Sequence, residues 1–151
     1  MITEPTFQEI RDACLSLKDY EQIEIPDLII GLTRGGLIPA VLISHDFNIP
    51  MEAVNYSSLQ GRGDNAGEHT NVIPRFPDAD RLLIVDDICD TGYTMYELVD
   101  EYTRRGQEVQ TFSLYWKETS VFIPTMFWQQ IPHDSPWIRF PWEPTPTPGG
   151  Q

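Results

Sequence analysis

Two adjacent carboxylates, Asp86 and Asp87, follow the apolar run Leu82-Leu83-Ile84-Val85, and Asp90-Thr91-Gly92-Tyr93-Thr94 comes directly after. The chemistry open to this run is the binding of a phosphate beside a sugar diol or a metal ion. A buried strand would deliver the two acids to its carboxyl end, the edge at which open α/β sheets bind ligands. There they could hold either a sugar diol or a metal ion. The following loop opens a helix, whose unpaired N–H groups and positive dipole end suit a phosphate. Thr91, Thr94 and the amides around Gly92 would supply the donors. An acidic turn with a helix cap accounts for one Asp and one Thr, but not for all six of Asp86, Asp87, Asp90, Thr91, Gly92 and Thr94.

A second strand-to-loop-to-helix unit lies at Gly31-Leu32-Thr33-Arg34-Gly35-Gly36-Leu37. Two glycines let the backbone approach an anion closely, and Arg34 adds a bidentate phosphate donor. Standing alone, the run also reads as an ordinary βα turn. The polar stretch Gln60 to Glu68 carries Arg62 inside a connection whose length suits either a lid or a disordered, solvated linker. Near the other end stands Pro136-Trp137-Ile138-Arg139-Phe140-Pro141-Trp142, where an aromatic ring can stack on a planar base. His45 and His69 are isolated from other ligand types and read as surface or structural residues.

The elements that must position these residues follow from periodicity. Thr6 and Glu9 form a capping box before Phe7, Ile10, Cys14 and Leu17, which predicts an amphipathic helix ending before Tyr20. Strands are expected at Leu28–Thr33, Met51–Ser58, Leu82–Ile88 and Glu108–Lys117, with a short strand pair around Val72 and Ile73. Helices are expected at Leu37–Phe47 and along Met95, Leu98, Val99 and Tyr102, the latter stopping at Gly106. Val121 to Glu143 reads as irregular and aromatic, and residues 144–151 as a disordered Pro-rich tail. Alternating strands and helices predict an α/β fold with a mostly parallel twisted sheet flanked by helices.

A length of 151 residues suits one domain, here residues 1–143 with an aromatic hood at about 120–143. The net charge of −13, with Lys18 and Lys117 as the only lysines, argues against nucleic-acid or anionic-membrane partners. With no apolar run of membrane length and no leader pattern, the expectation is a cytoplasmic protein. Cys14 and Cys89 sit in apolar patterns and read as buried thiols. An anionic ligand in so acidic a chain needs a local reversal of the field by Arg, amides and a cation.

The Asp86–Thr94 run resembles the signature of the type I phosphoribosyltransferases, which bind phosphoribosyl pyrophosphate (PRPP). The resemblance implies that Asp86 and Asp87 hold the ribose hydroxyls, with Mg²⁺ at one or both, and that Asp90, Thr91, Gly92, Tyr93 and Thr94 wrap the 5′-phosphate. It makes Arg34, Gly35 and Gly36 the pyrophosphate loop, with a cis or strained peptide expected near Arg34-Gly35, and Arg62 the lid residue. Asp86, Asp87 and Asp90 then carry the catalysis, Asp90 also serving N7 of a purine. Lys117 would read the 6-oxygen, with Trp137 stacking on the base and Ile138 contacting its exocyclic group. That hood resembles the one in bacterial xanthine–guanine phosphoribosyltransferases. Two departures stand out: Pro136 is an extra residue, and Arg139 replaces an acid and is open to touching a carbonyl or carboxylate of a different base. The implied activity is transfer of phosphoribosyl from PRPP to guanine or xanthine, then hypoxanthine, by a dimer or tetramer. A PRPP-sensing regulatory protein of the same fold, or transfer to a non-purine acceptor, is the alternative.

Overall fold

The computed structural model describes residues 2–59 and 72–145. A two-residue strand, β1 (Ile2–Thr3), leads into α1 (Phe7–Leu15) and a 3₁₀ turn at Ser16–Asp19. The capping box forms as expected: Thr6 Oγ1 accepts from Glu9 N at 3.1 Å while Glu9 Oε1 accepts from Thr6 N at 3.4 Å. Then follow β2 (Leu28–Leu32), α2 (Leu37–Phe47), β3 (Met51–Val54), β4 (Arg81–Cys89), α3 (Tyr93–Arg104), β5 (Glu108–Lys117), β6 (Met126–Ile131) and β7 (Trp137–Ile138). Five strands form one wholly parallel sheet in the order β3-β2-β4-β5-β6.

Helices cover both faces. Ile10, Ala13 and Cys14 of α1 and Ala40 and Ile43 of α2 join one core with Ile29, Leu83, Val85, Phe112 and Leu114. Met95, Leu98 and Tyr102 of α3 join the other with Leu28, Ile30, Leu82 and Ile84. β2 is buried at every position, as a central parallel strand must be. Both thiols are free and buried, and burial pushes Cys14 up to about 12.

The side-chain alternation of the sheet reverses along a transverse seam. Leu83 and Val85 face α1 and α2, so strict alternation would send Ile88 to the α3 side. Instead Ile88 packs with the α1–α2 core and Cys89 with the α3 core. β5 reverses in step: Leu114 and Tyr115 both join the α1–α2 core, and Trp116 packs on the α3 side. Pairing runs from Asp86↔Ser113 to Ile88↔Tyr115, and from Ser113↔Phe127 to Tyr115↔Gln129, omitting Asp87, Leu114 and Trp128. At the seam the adjacent acids accept from backbone N–H groups of β4. Asp86 Oδ1 accepts from Asp87 N at 2.8 Å, and Asp87 Oδ1 from Ile88 N at 2.7 Å.

Three expectations need correction. The Met51 strand stops at Val54, and Val72 and Ile73 lie outside any strand. The stretch after Val121 is not irregular throughout: β6 is the edge strand of the main sheet, and β7 pairs in parallel with β1. β6 is an edge, and its half-buried pattern gives it no clean alternation to read.

Candidate active site

All five strands point their carboxyl ends the same way, so the loops after β2, β4, β5 and β6 gather at one edge. The loop after β2 meets β4 there. A Cβ added to Gly35 would lie 2.0 Å from Asp87 Oδ2, and one added to Gly36 would lie 2.4 Å from the Val85 carbonyl oxygen. The glycines are therefore what allows this loop to press against the acids. The cis peptide joins Thr33 to Arg34, one bond before the expected place, and Arg34 is exposed.

Asp86 is half-buried, and its carboxyl is held well above the ordinary carboxylate range, first by burial and then by the charge of Asp87. The stability consequence has a definite sign. A carboxyl whose pKa is raised by folding contributes most below the unfolded value of about 4, and that contribution is lost as pH rises through the raised value. Ligand-free protein should therefore lose thermal stability on going from acid to neutral pH more steeply than Asp86→Asn. Identical slopes of melting temperature against pH in the two proteins would refute this.

Beyond the acids the chain turns at Gly92, whose φ of 87° is left-handed, and α3 begins. A side chain at Gly92 would also strike Ser120 Oγ at 2.2 Å and Phe122 N at 2.8 Å. Asp86, Asp90, Thr91, Gly92 and Thr94 line a cavity of about 150 Å³, with Ile88, Cys89 and Met95 as its apolar part. Tyr93, expected in this loop, opens α3 without lining the cavity. The helix N-terminus presents its amides to this space, an arrangement suited to a phosphate.

A second cavity, also about 150 Å³, adjoins the first through Ile88 and Asp90. Its other walls are Lys117, Ile131, Ser135, Pro136, Trp137 and Ile138. Lys117 Nζ lies 3.3 Å from Asp90 Oδ1, so the cavity holds a fixed donor beside a fixed acceptor. Trp137 is 72 % exposed, which leaves its ring available to a planar ligand. β7 is held from behind: Arg139 N donates to Thr3 O at 2.9 Å. Successive residues of a strand direct their N–H groups to opposite edges, so the Ile138 N–H faces away from β1.

Arg139 does not serve a base in this arrangement. Its guanidinium pairs with Glu4, which fastens the hood to the segment after β1. Phe140 is buried and stacks on Trp142 with ring centroids 4.7 Å apart. The structure thus brings together Arg34's loop, Asp86, Asp87, Asp90, Thr91, Gly92, Thr94, Lys117, Trp137 and Ile138. Arg62 lies outside the described residues. Ile88, Ile131 and Pro136 were not foreseen as cavity walls; Ile88 reads in sequence as one more strand residue, and only the seam turns it toward both cavities.

The donor set suits Mg²⁺. Each acid commits one oxygen to the backbone, and a side-chain hydrogen bond joins Asp86 to Asp87. Among the described residues no group of three or more acidic, His or Cys side chains could hold a metal. One or two carboxylates completed by substrate oxygens and water are the usual Mg²⁺ site. Among the described residues no helix is long and apolar enough to cross a membrane.

Residues 2–147 match the model of the phosphoribosyl transferase domain family. The chain is 29% identical over 119 residues to the xanthine-guanine phosphoribosyltransferase of Idiomarina loihiensis, covering 76% of this chain and 70% of that one. It is similar in structure to a purine phosphoribosyltransferase from Pyrococcus horikoshii, with a TM-score of 0.78 and 30% identity over 97% of this chain and 96% of that one. The xanthine-guanine-hypoxanthine phosphoribosyltransferase of Helicobacter pylori shares the fold at 19% identity, with a TM-score of 0.73, covering 95% of this chain and 94% of that one.

Proposed function

This chain belongs to the phosphoribosyltransferase family, and we propose that it transfers the 5-phosphoribosyl group from PRPP to a 6-oxopurine, guanine or xanthine before hypoxanthine. The observation that carries the reading is the pair of adjoining cavities sharing Ile88 and Asp90, one lined by the Asp90–Thr94 loop and the other by Lys117 and Trp137. The ribose 5-phosphate would occupy the first, with its phosphate on Thr91, Gly92 and Thr94 and its diol on Asp86 and Asp87. Arg34 with the Gly35 and Gly36 amides would hold the pyrophosphate. Asp87 and Asp86 would hold Mg²⁺, which when bound offsets the charge of the leaving pyrophosphate.

A 6-oxopurine presents O6 and N7 along one edge. Lys117 donates to O6 and Asp90 accepts from N7–H, each exchanging its partner in the ion pair for the base. Trp137 stacks on the ring, and the Ile138 backbone reaches the group at C2. With the base so placed, the N9 lone pair forms the bond to C1 of the ribose. The C1–O bond breaks, its electrons leave with pyrophosphate, and Asp90 takes the N7 proton. Rate acceleration then rests on positioning and on charges fixed in advance.

The test is a Mg²⁺-dependent assay with PRPP and each of guanine, xanthine, hypoxanthine, adenine, uracil and orotate. Turnover confined to 6-oxopurines is expected. Trp137→Ala should raise KM for the base about 5- to 150-fold, as loss of about 1–3 kcal/mol of stacking implies, with KM for PRPP unchanged. Turnover with a pyrimidine alone, or an equal rise in both KM values, would refute the assignment of the second cavity.

A further inference from the structure

Glu97 lies on α3 one turn beyond Thr94, outside both cavities, and its carboxylate is the meeting point of two hydroxyls from the segment after β3. Tyr56 donates to Glu97 Oε1 at 2.6 Å, and Ser58 Oγ donates to Oε2. Ser58 is buried, and its backbone N–H donates to Thr94 Oγ1 at 3.1 Å. Residues at i and i+3 share a helix face, so Thr94 and Glu97 together receive this one segment.

The chain of bonds has a direction. Both hydroxyls donate to the Glu97 carboxylate, which commits their protons to it. Ser58 is thereby fixed with its N–H aimed at Thr94. A threonine hydroxyl has one proton and two lone pairs. With one lone pair taken by Ser58 N–H, the rotation of the Thr94 hydroxyl is restricted and its proton is left for an acceptor in the first cavity, which Thr94 lines.

We infer that Glu97 is a positioning residue for the PRPP site: through Ser58 it sets the Thr94 hydroxyl that donates to the 5′-phosphate. This rests on the reading of the Asp90–Thr94 loop as the phosphate site. It adds a residue outside the signature, and one that the sequence gives no reason to single out. Its carboxylate acts by holding two hydroxyls, without touching the ligand.

The experiment is calorimetric titration of the full chain with Mg²⁺ and PRPP, and separately with ribose 5-phosphate, alongside steady-state kinetics. Glu97→Ala should weaken both ligands about tenfold and raise KM for PRPP by the same factor, with KM for the purine and kcat within about twofold of wild type. Glu97→Gln keeps an acceptor and adds a donor for the same two hydroxyls, and should stay within about threefold of wild type. Ser58→Ala combined with Glu97→Ala should be no worse than Glu97→Ala alone, as residues acting in series require. Wild-type affinity in Glu97→Ala, equal loss in the Gln and Ala variants, or a double variant at the product of the single effects would each overturn the inference. A wild-type chain that binds neither ligand would overturn the phosphate-site reading itself, a distinct result.

Discussion

Asp86→Asn combined with Asp87→Asn is expected to lower kcat/KM for PRPP by roughly 10³-fold or more, the scale seen when fixed charge-stabilising groups are removed from an active site, while the protein stays folded. The two acids stand at the seam where the sheet interrupts its own pairing, and each accepts from a backbone N–H there. Asn can accept those same hydrogen bonds through its side-chain carbonyl. What it cannot supply is a negative charge for a cation or a strong acceptor for ribose hydroxyls. The ligand-free protein bears a cost for this arrangement, since burial and its neighbour's charge hold Asp86 well above the ordinary carboxylate range. The double variant should therefore melt no lower than wild type near neutral pH, and higher if the like-charge repulsion is substantial. Activity loss with retained stability separates a ligand-binding role from a structural one. Unchanged PRPP binding and turnover would remove the centre of the proposed mechanism.

The signature was legible because one short run carries all its physics: buried strand, acids, left-handed glycine and helix start are contiguous from Leu82 to Thr94. The Arg34 loop was legible for the same reason, and α2 has the expected bounds, Leu37–Phe47. The features that escaped prediction all depend on partners distant in sequence. β7 exists because Ile2 and Thr3 pair with it, and Arg139 turns from the base site because Glu4 holds it. Nothing local to Trp137 or Arg139 announces either partner. The seam is of the same kind. Leu82 to Ile88 reads as an uninterrupted strand, and only the matched reversal in β5 shows that Ile88 and Cys89 have exchanged faces. Composition likewise marked the aromatic hood region without showing that Met126–Ile131 within it completes the main sheet.

Gly35→Ala should reduce kcat/KM about 100-fold, the cost that a displacement of about 1 Å at a reacting centre can impose, with little loss of stability. The new methyl would lie 2.0 Å from Asp87 Oδ2 and 2.3 Å from Cγ. The obstacle is a side chain, so the clash is relieved by turning the whole Asp87 side chain about its Cα–Cβ bond. That rotation gives up the hydrogen bond from Ile88 N at 2.7 Å, a cost of about 1 kcal/mol. It also moves the oxygen that the metal and diol require. Gly36 provides the contrast within the same loop. Its Cβ would meet the Val85 and Leu32 carbonyl oxygens at 2.4 and 2.9 Å, backbone atoms of the two central strands with no rotation open to them. Gly36→Ala should therefore destabilise the fold, whereas Gly35→Ala should injure the site alone. The difference is measurable by comparing melting temperatures with kcat/KM across the pair. A second comparison isolates the cause: in an Asp87→Asn background, Gly35→Ala should cost little further activity, because the group it displaces has already lost its function. A full additional 100-fold loss there would mean that the methyl acts on the pyrophosphate loop itself, and the proposed contact between Gly35 and the Asp87 carboxylate would carry none of the effect.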